Sequence, residues 1–500
     1  MKRTLLLLTF LAAFFIGETS RAQAPTETVA TLQERIKTLI DQPRFAQAQW
    51  GVKVVSLDSG NVLFDRNGDK LMKPASNTKM YSGSLALDRL GPDFKIRTSF
   101  YADAKPDAAG KIHGNLTVYG RGDPSYASRF NNDDYTVGLQ KIVNAVTAAG
   151  IKEVEGDLIG DESYFRGPPY GTDWAVDDLQ EYYGALSSSL MLEDNVVDWT
   201  IKAGAKIGDP GQLVIKPAGE FLKFENRTKT IAKDGKTAIS FYRPLGEDTV
   251  YFMGDIALGG KHSDSVAVHR SALWYVTLLK EALAKQGVKV DGGLRTRNWL
   301  DEDAAPIDYT KQVEVAAVEG APLSDILAKT LKPSQNLYAH TLLLLAGKKA
   351  QPASKTKTSQ EIGLAEMEKF LGEVGIKKGR VMLEEGSGLS RGCLLTPASS
   401  VTLLTFMTKH KSAKIFYDDL PIAGVDGSLR TRFKGTAAEN NVHAKTGSLE
   451  YVNTISGYVT NKAGEKLVFS VMLNNYNGGG RAEADKVVLM LAEWSGKSGN

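Results

Sequence analysis

Lys73-Pro74-Ala75-Ser76-Asn77-Thr78-Lys79-Met80 leads into a partly apolar helical stretch that carries Leu85, Leu87 and Leu90 and is stopped by Gly91-Pro92. On a helix beginning at Ser76, Lys79 lies three residues on along the same face, so its amine can reach the Ser76 hydroxyl. A serine hydroxyl is a poor nucleophile until a base takes its proton, and a lysine can be that base once burial or a second cation lowers its pKa. A helix that starts there also points free backbone N–H groups and its positive dipole end at the reacting centre, where an oxyanion would develop.

Two further triplets complete an acyl-serine site that needs no histidine. Ser334-Gln335-Asn336 leads into the apolar run Leu337 to Leu345, at a loop-to-helix junction. It offers a second hydroxyl to relay a proton to the leaving amine and an amide to position lysine or substrate. Lys445-Thr446-Gly447-Ser448 precedes the strand-like run Thr454 to Val459. Its glycine would leave a strand edge bare for an extended peptide, and Lys445, Thr446 and Ser448 supply a cation and hydroxyls for a terminal carboxylate. Taken singly, Ser76 reads as a helix N-cap, Asn336 as a turn or cap residue and Lys445 as a solvated strand-end charge. Ser354-Lys355-Thr356-Lys357 repeats the Ser-x-x-Lys spacing in a polar tract with no apolar face. Joint occurrence, in order and each on a suitable element, favours the catalytic reading.

The three motifs resemble those of the penicillin-interacting serine acyl-enzymes. The chain from about Leu32 to Glu493 is similar to the class C low-molecular-mass penicillin-binding proteins, the D-alanyl-D-alanine carboxypeptidases/endopeptidases of peptidase family S13. Supporting segments are Gly386-Ser387-Gly388-Leu389-Ser390-Arg391, Leu420 to Leu429, and Gly122-Asp123-Pro124. The resemblance implies attack by Ser76 on the penultimate D-alanine carbonyl, release of D-alanine and hydrolysis of the acyl-enzyme. It makes Ser76, Lys79, Ser334, Asn336 and Lys445 catalytic. It makes Thr446, Gly447, Ser448 and Arg391 substrate-binding, with the N–H groups of Ser76 and Ser448 as the oxyanion hole. In that family an aspartate of an inserted region faces the diaminopimelate side chain, and Asp161, in Gly160-Asp161-Glu162-Ser163-Tyr164-Phe165, matches the motif. Peptidoglycan peptides are the implied partners and β-lactams the implied covalent inhibitors. Two residues depart from the pattern: Cys393 stands after Ser390-Arg391 where a polar residue is expected, and Glu450 where relatives often carry glutamine.

Lys2 and Arg3, an apolar run from Leu5 to Ile16 and Ala22-Gln23-Ala24 form the pattern of a cleavable export signal over residues 1–24. That run is too short to span a membrane, and no later segment approaches one, so a soluble periplasmic enzyme without a membrane anchor is expected. The formal charge of +3 falls further once Lys2, Arg3, Arg21 and Glu18 are removed, which argues against a nucleic-acid partner. A single cysteine cannot form an intramolecular disulfide, and a chain of 500 residues can bury enough apolar surface without one. The sequence sets no oligomeric state.

The long interval between Lys79 and Ser334 implies that the chain leaves the catalytic domain and returns. The expected fold is α/β (α+β): a serine β-lactamase/transpeptidase-like domain, an antiparallel sheet flanked by helices, formed by residues 25–95 and 265–500. It is interrupted by a β-rich module at 96–264, sized for two small domains. Within that module only Val137 to Ala149 reads as a helix. A long helix at Val268 to Gln286 restores the catalytic domain, and helices alternate with loops up to Val442.

His113, His262, His269, His340, His410 and His443 show no metal-ligand spacing, so neither metal nor cofactor is expected. Arg121-Gly122-Asp123, between Gly120 and Pro124, reads as a tight corner. A β-lactamase would share the three motifs, but no Glu-x-x-Leu-Asn is present and the long insertion is foreign to such enzymes. A non-catalytic peptidoglycan-binding protein would not need to retain Ser76, Lys79, Ser334, Asn336 and Lys445 together.

Overall fold

The computed structural model describes residues 27–219 and 221–499, so the expected export signal lies outside the described residues. A five-stranded antiparallel sheet forms the centre of the catalytic part, in the order Val62–Arg66, Gln49–Ser56, Lys466–Asn474, Val452–Thr460, His443–Leu449. Lys466–Asn474 is buried at every position after Lys466, because both faces of the sheet are covered and successive side chains point to opposite sides. One face packs Val52, Phe469 and Val471 against the terminal helices Val29–Ile40 and Gly480–Glu493 through Leu32, Ile36, Val487 and Leu491. The other packs Val468 and Met472 against Met80, Leu85, Leu343 and Leu404.

The helix Thr78–Leu90 and the helix Asn336–Ala350 form the middle of that second core. From Asn336 to Gly347 every residue of the second helix is buried. Its apolar character all round is that of a core helix, not of an amphipathic surface one. The polar side chain at its start, Asn336, is therefore held in a packed setting.

The insertion departs from the expected limits at its far end. Lys95–Ala102 pairs antiparallel with Val313–Pro322, with Pro322 opposite Lys95, and Leu323 N–H donates to Phe94 O at 2.8 Å. The chain thus leaves and re-enters the catalytic part at adjacent points, the arrangement in which a host domain tolerates an insertion. The helix Ser271–Lys285, expected to restore the catalytic domain, instead packs Trp274, Val276 and Leu279 into the core that holds Phe100, Val118, Ile142 and Trp199. We therefore place the return at about residue 322, not 264. Two strands in this stretch, Leu294–Arg297 and Val313–Pro322, fall where helices and loops were expected. They escape sequence reading because Val-Glu-Val-Ala-Ala-Val-Glu is half-exposed and rich in helix-tolerant residues; its partner Lys95–Ala102 decides its conformation.

Five strands of the insertion lie in the order Leu294–Arg297, Leu158–Asp161, Leu116–Tyr119, Lys95–Ala102, Val313–Pro322, parallel among the first three and antiparallel after. Lys261–Ala267, Val196–Lys202 and Gln212–Lys216 form a separate antiparallel sheet. Thr249–Ala257 is the centre of another. One apolar cluster, from Phe100 through Trp199 and Phe252 to Leu283, runs through these sheets.

Candidate active site

Ser76 sits in a 3₁₀ turn, Ala75–Asn77, immediately before the helix Thr78–Leu90, and is partly exposed while its neighbours Ala75 and Asn77 are fully buried. The turn requires left-handed backbone at Ala75, φ 48°, which costs about 1–3 kcal/mol and persists because its surroundings dictate it. Gly388 and Gly447 supply those surroundings. A Cβ on Gly388 would stand 2.0 Å from Ala75 O, and one on Gly447 would stand 2.6 Å from Pro74 O. The glycine of the third motif is thus required by the turn that carries Ser76, a reason different from a bare edge for substrate.

Lys79 is fully buried. Its Nζ lies 2.7 Å from Ser76 Oγ, 2.6 Å from Asn336 Oδ1 and 2.8 Å from Ser387 O. A neutral amine has two N–H groups and one lone pair. The two carbonyl oxygens can only accept, so they take the two N–H groups and leave the lone pair to the Ser76 hydroxyl proton. Burial depresses the Lys79 pKa to about 7, with the Glu385 carboxylate and Cys393 opposing the fall. Glu385 is itself fully buried and accepts from the N–H groups of Ser387, at 2.6 Å, and Gly388. It thereby shapes the loop that offers Ser387 O to Lys79.

Asn336 opens its helix, and its Nδ2 donates to Tyr183 O at 2.8 Å, a backbone oxygen of the insertion. That bond fixes the amide so that Oδ1 faces Lys79. Ser334 adopts left-handed backbone, φ 69°, and its Oγ accepts from Lys445 Nζ at 2.8 Å. Lys445 also donates to Thr446 O at 2.9 Å. Burial, then the Lys79 and Arg432 cations, push the Lys445 amine well below the usual lysine range. Thr446 Oγ1 lies 2.6 Å from Ser428 Oγ, which belongs to the Leu420 to Leu429 segment.

The strand His443–Leu449 is the edge of its sheet. Ala444 N–H turns outward to Pro421 O at 3.0 Å, and alternation along an antiparallel strand turns Thr446 and Ser448 N–H outward as well, toward the cleft. A cleft of 510 Å³ unites the motifs; Ser76, Ser334, Asn336, Thr446, Gly447, Ser448 and Arg391 line it. Lys79 and Lys445 lie behind it, reaching Ser76 and Ser334.

Asp161 is the sequence-derived site residue that belongs elsewhere. It is fully buried in the insertion, where its carboxylate accepts from Tyr309 OH at 2.5 Å and Ser163 N–H at 2.8 Å and faces Arg297 at 3.3 Å. The insertion instead sends Asp178, Tyr182 and Tyr183 to the cleft wall. Nothing in a single sequence marks them, because Asp-Asp-Leu-Gln-Glu-Tyr-Tyr carries no periodic pattern and gains its position only from the docking of the insertion. Desolvation raises the Asp178 carboxyl, opposed among others by Arg391. Glu450 also lines the cleft, 3.7 Å from Arg391. Cys393 is buried away from the cleft, its thiol pushed up to about 12 by desolvation and then by Glu385, so it is inert. Among the described residues no group of three or more His, Cys, Asp or Glu side chains is placed to hold a metal ion.

An all-antiparallel sheet between two helical layers, with Ser76, Lys79 and a lysine-bearing edge strand converging on one cleft, defines a serine acyl-enzyme of the transpeptidase-like class. The chain belongs to the D-Ala-D-Ala carboxypeptidase 3 (S13) family, whose model matches residues 32–494, and is a serine-type D-Ala-D-Ala carboxypeptidase. It is 30% identical over 488 residues to a D-alanyl-D-alanine carboxypeptidase of Actinomadura sp. (strain R39), covering 95% of this chain and 87% of that relative. The crystal structure of penicillin binding protein 4 (dacB) from Haemophilus influenzae superposes with a TM-score of 0.77 at 24% identity, covering 91% of this chain and 98% of that one. A structure of the same protein complexed with a novel β-lactam gives a TM-score of 0.72, again at 24% identity, covering 91% and 97%.

Proposed function

We propose that the protein trims peptidoglycan stem peptides by acyl transfer to Ser76. The observation that carries this reading is the Lys79 amine, stripped of water and hydrogen-bonded so that its lone pair meets the Ser76 hydroxyl. Lys79 takes the Ser76 proton as Oγ attacks the penultimate D-alanine carbonyl. The Ser76 and Ser448 N–H groups hold the oxyanion. Ser334, hydrogen-bonded to Lys445, passes a proton to the leaving amine of D-alanine. Water then attacks the ester carbonyl as Lys79 takes its proton, the bond from Oγ to the acyl group breaks, and the proton returns to Ser76 Oγ, releasing the shortened peptide as a free acid and the enzyme in its starting form. β-Lactams enter the same path but leave no departing group, so the adduct persists.

The cleft sets two anions, Asp178 and Glu450, beside two cations, Arg391 and Arg481. Such a wall suits a stem residue whose side chain carries both an ammonium and a carboxylate, as diaminopimelate does. We assign to Asp178 the diaminopimelate contact that the family resemblance implies for Asp161. The same wall accommodates the donor stem of a D-alanyl-diaminopimelate cross-link, so endopeptidase action belongs to the proposal. Among the described residues no helix is long and apolar enough to cross a membrane. The export pattern of residues 1–24 supports action in the periplasm.

Lys445→Ala is expected to lower kcat/KM for a pentapeptide with a free terminal carboxylate by about 10²-fold, and for its amidated counterpart far less. Equal losses on the two substrates would sink the carboxylate-clamp role. A second test is the pH profile of acylation. Only the neutral Lys79 amine can accept a proton, and its depressed pKa puts the change near pH 7. The acylation rate should therefore fall about tenfold per unit as pH drops below that value and level off above it. A flat profile between pH 5 and 8 would remove Lys79 as the base.

A further inference from the structure

Three consecutive non-glycine residues of the insertion, Glu193, Asp194 and Asn195, hold left-handed backbone with φ of 45, 57 and 54°. L-residues visit that region singly, so a run of three persists only where the surroundings over-determine it. Here they do. Asn195 Nδ2 donates to Leu186 O at 2.9 Å, Asn195 O accepts from Val268 N–H at 2.8 Å, and Glu193 Oε2 accepts from Ser128 N–H at 2.8 Å.

What the turn accomplishes is the placement of Asp194. Its buried carboxylate leaves the insertion and meets the second catalytic motif. It accepts from Gln335 Nε2 at 3.2 Å and from Tyr338 OH, while Arg129 Nε, from the insertion side, donates at 2.6 Å and balances the charge. Gln335 is the residue between Ser334 and Asn336, and Tyr338 lies two residues after Asn336. The motif is also gripped by the insertion at a second point, through Asn336 Nδ2 and Tyr183 O. Ser334 needs such restraint, since its own backbone is left-handed and its hydroxyl must meet Lys445.

We infer that Asp194 is a positioning residue for acyl transfer: by holding Gln335 and Tyr338 it keeps Ser334 and Asn336 in register with Lys445 and Lys79. The insertion then contributes to the rate of the chemical step and not only to the choice of peptide. The inference rests on the roles given above to Ser76 and Lys79.

The test is rapid-mixing acylation by a chromogenic β-lactam, which separates the dissociation constant of the non-covalent complex from the acylation rate constant. Wild-type protein must first show the adduct at Ser76; its absence would overturn the proposed function itself. Asp194→Asn keeps the shape and removes the charge. It should lower the acylation rate constant about ten- to a hundredfold, the effect of a small misplacement of catalytic groups, while the dissociation constant stays within about twofold. Tyr338→Phe removes one donor and leaves the Asp194–Arg129 pair intact, and should lower the same constant by a smaller factor. It decides the matter if Asp194→Asn does not fold. A wild-type acylation rate constant in the folded variants, or a loss confined to the dissociation constant, would overturn the inference.

Discussion

A penicillin mixed with the Ser76→Ala variant is expected to leave its mass unchanged, whereas the wild-type protein gains one whole equivalent of the drug. Opening the β-lactam ring expels nothing, so the adduct carries the full mass of the inhibitor on an ester at Oγ. Ser76 is the hydroxyl that the geometry equips for this. It lies 2.7 Å from an amine whose other partners are carbonyl oxygens, at the head of a helix, on the cleft surface. Ser334 also lines the cleft, but its Oγ is engaged with Lys445, a group it can exchange protons with and not one freed to activate it. Release of D-alanine from a pentapeptide should fall at least about 10⁴-fold in the same variant, on the scale seen when a nucleophile is deleted from a catalytic set. Intact-mass spectrometry with peptide mapping decides the point. An adduct that survives in Ser76→Ala, or maps to Ser334, would refute the assignment.

Lys79→Arg should be nearly as damaging, although it preserves charge. Guanidinium cannot be deprotonated in a protein, so the variant has no lone pair to receive the Ser76 proton. A loss of about 10²- to 10⁴-fold in acylation is expected, the usual contribution of a general base. An acylation rate within tenfold of wild type would show that Lys79 acts only as a charge. The wild-type residue also carries a cost in stability. A lysine shifted from 10.5 to about 7 by burial disfavours the folded state by about 5 kcal/mol below pH 7, where the unfolded and folded forms would both be protonated. The cost fades as pH rises from 7 toward 10.5, because the unfolded chain then holds the proton that the folded one has given up. A depressed lysine pKa is thus maintained against stability, as expected of a group kept for chemistry.

Much of the catalytic part was legible in the sequence. The helix Thr78–Leu90 ends at its C-cap Gly91, as the Gly91-Pro92 signal indicates, and the run Thr454 to Val459 lies within the strand Val452–Thr460. These are local signals, period and cap, that survive in any window of a few residues. Strand Val313–Pro322 was not legible, because its half-exposed pattern is resolved only by pairing with residues far away in the chain. Asp161 illustrates the same limit at the level of chemistry. The motif around it was recognisable, yet its carboxylate turns inward to Tyr309 and Arg297, and Asp178 reaches the cleft in its place.

The sequence by itself determined the pairing of Ser76 with Lys79, since an interval of three residues on a helical turn puts the two side chains on one face. It also determined the chemistry of the third motif, a lysine and hydroxyls on a strand. Only the tertiary structure decided where the insertion ends, which aspartate lines the cleft, that Tyr183 O orients Asn336, and that Asp194 braces Gln335 and Tyr338. Those contacts join residues more than 100 positions apart. Their geometry is set by which apolar faces bury against one another, and no local spacing encodes that.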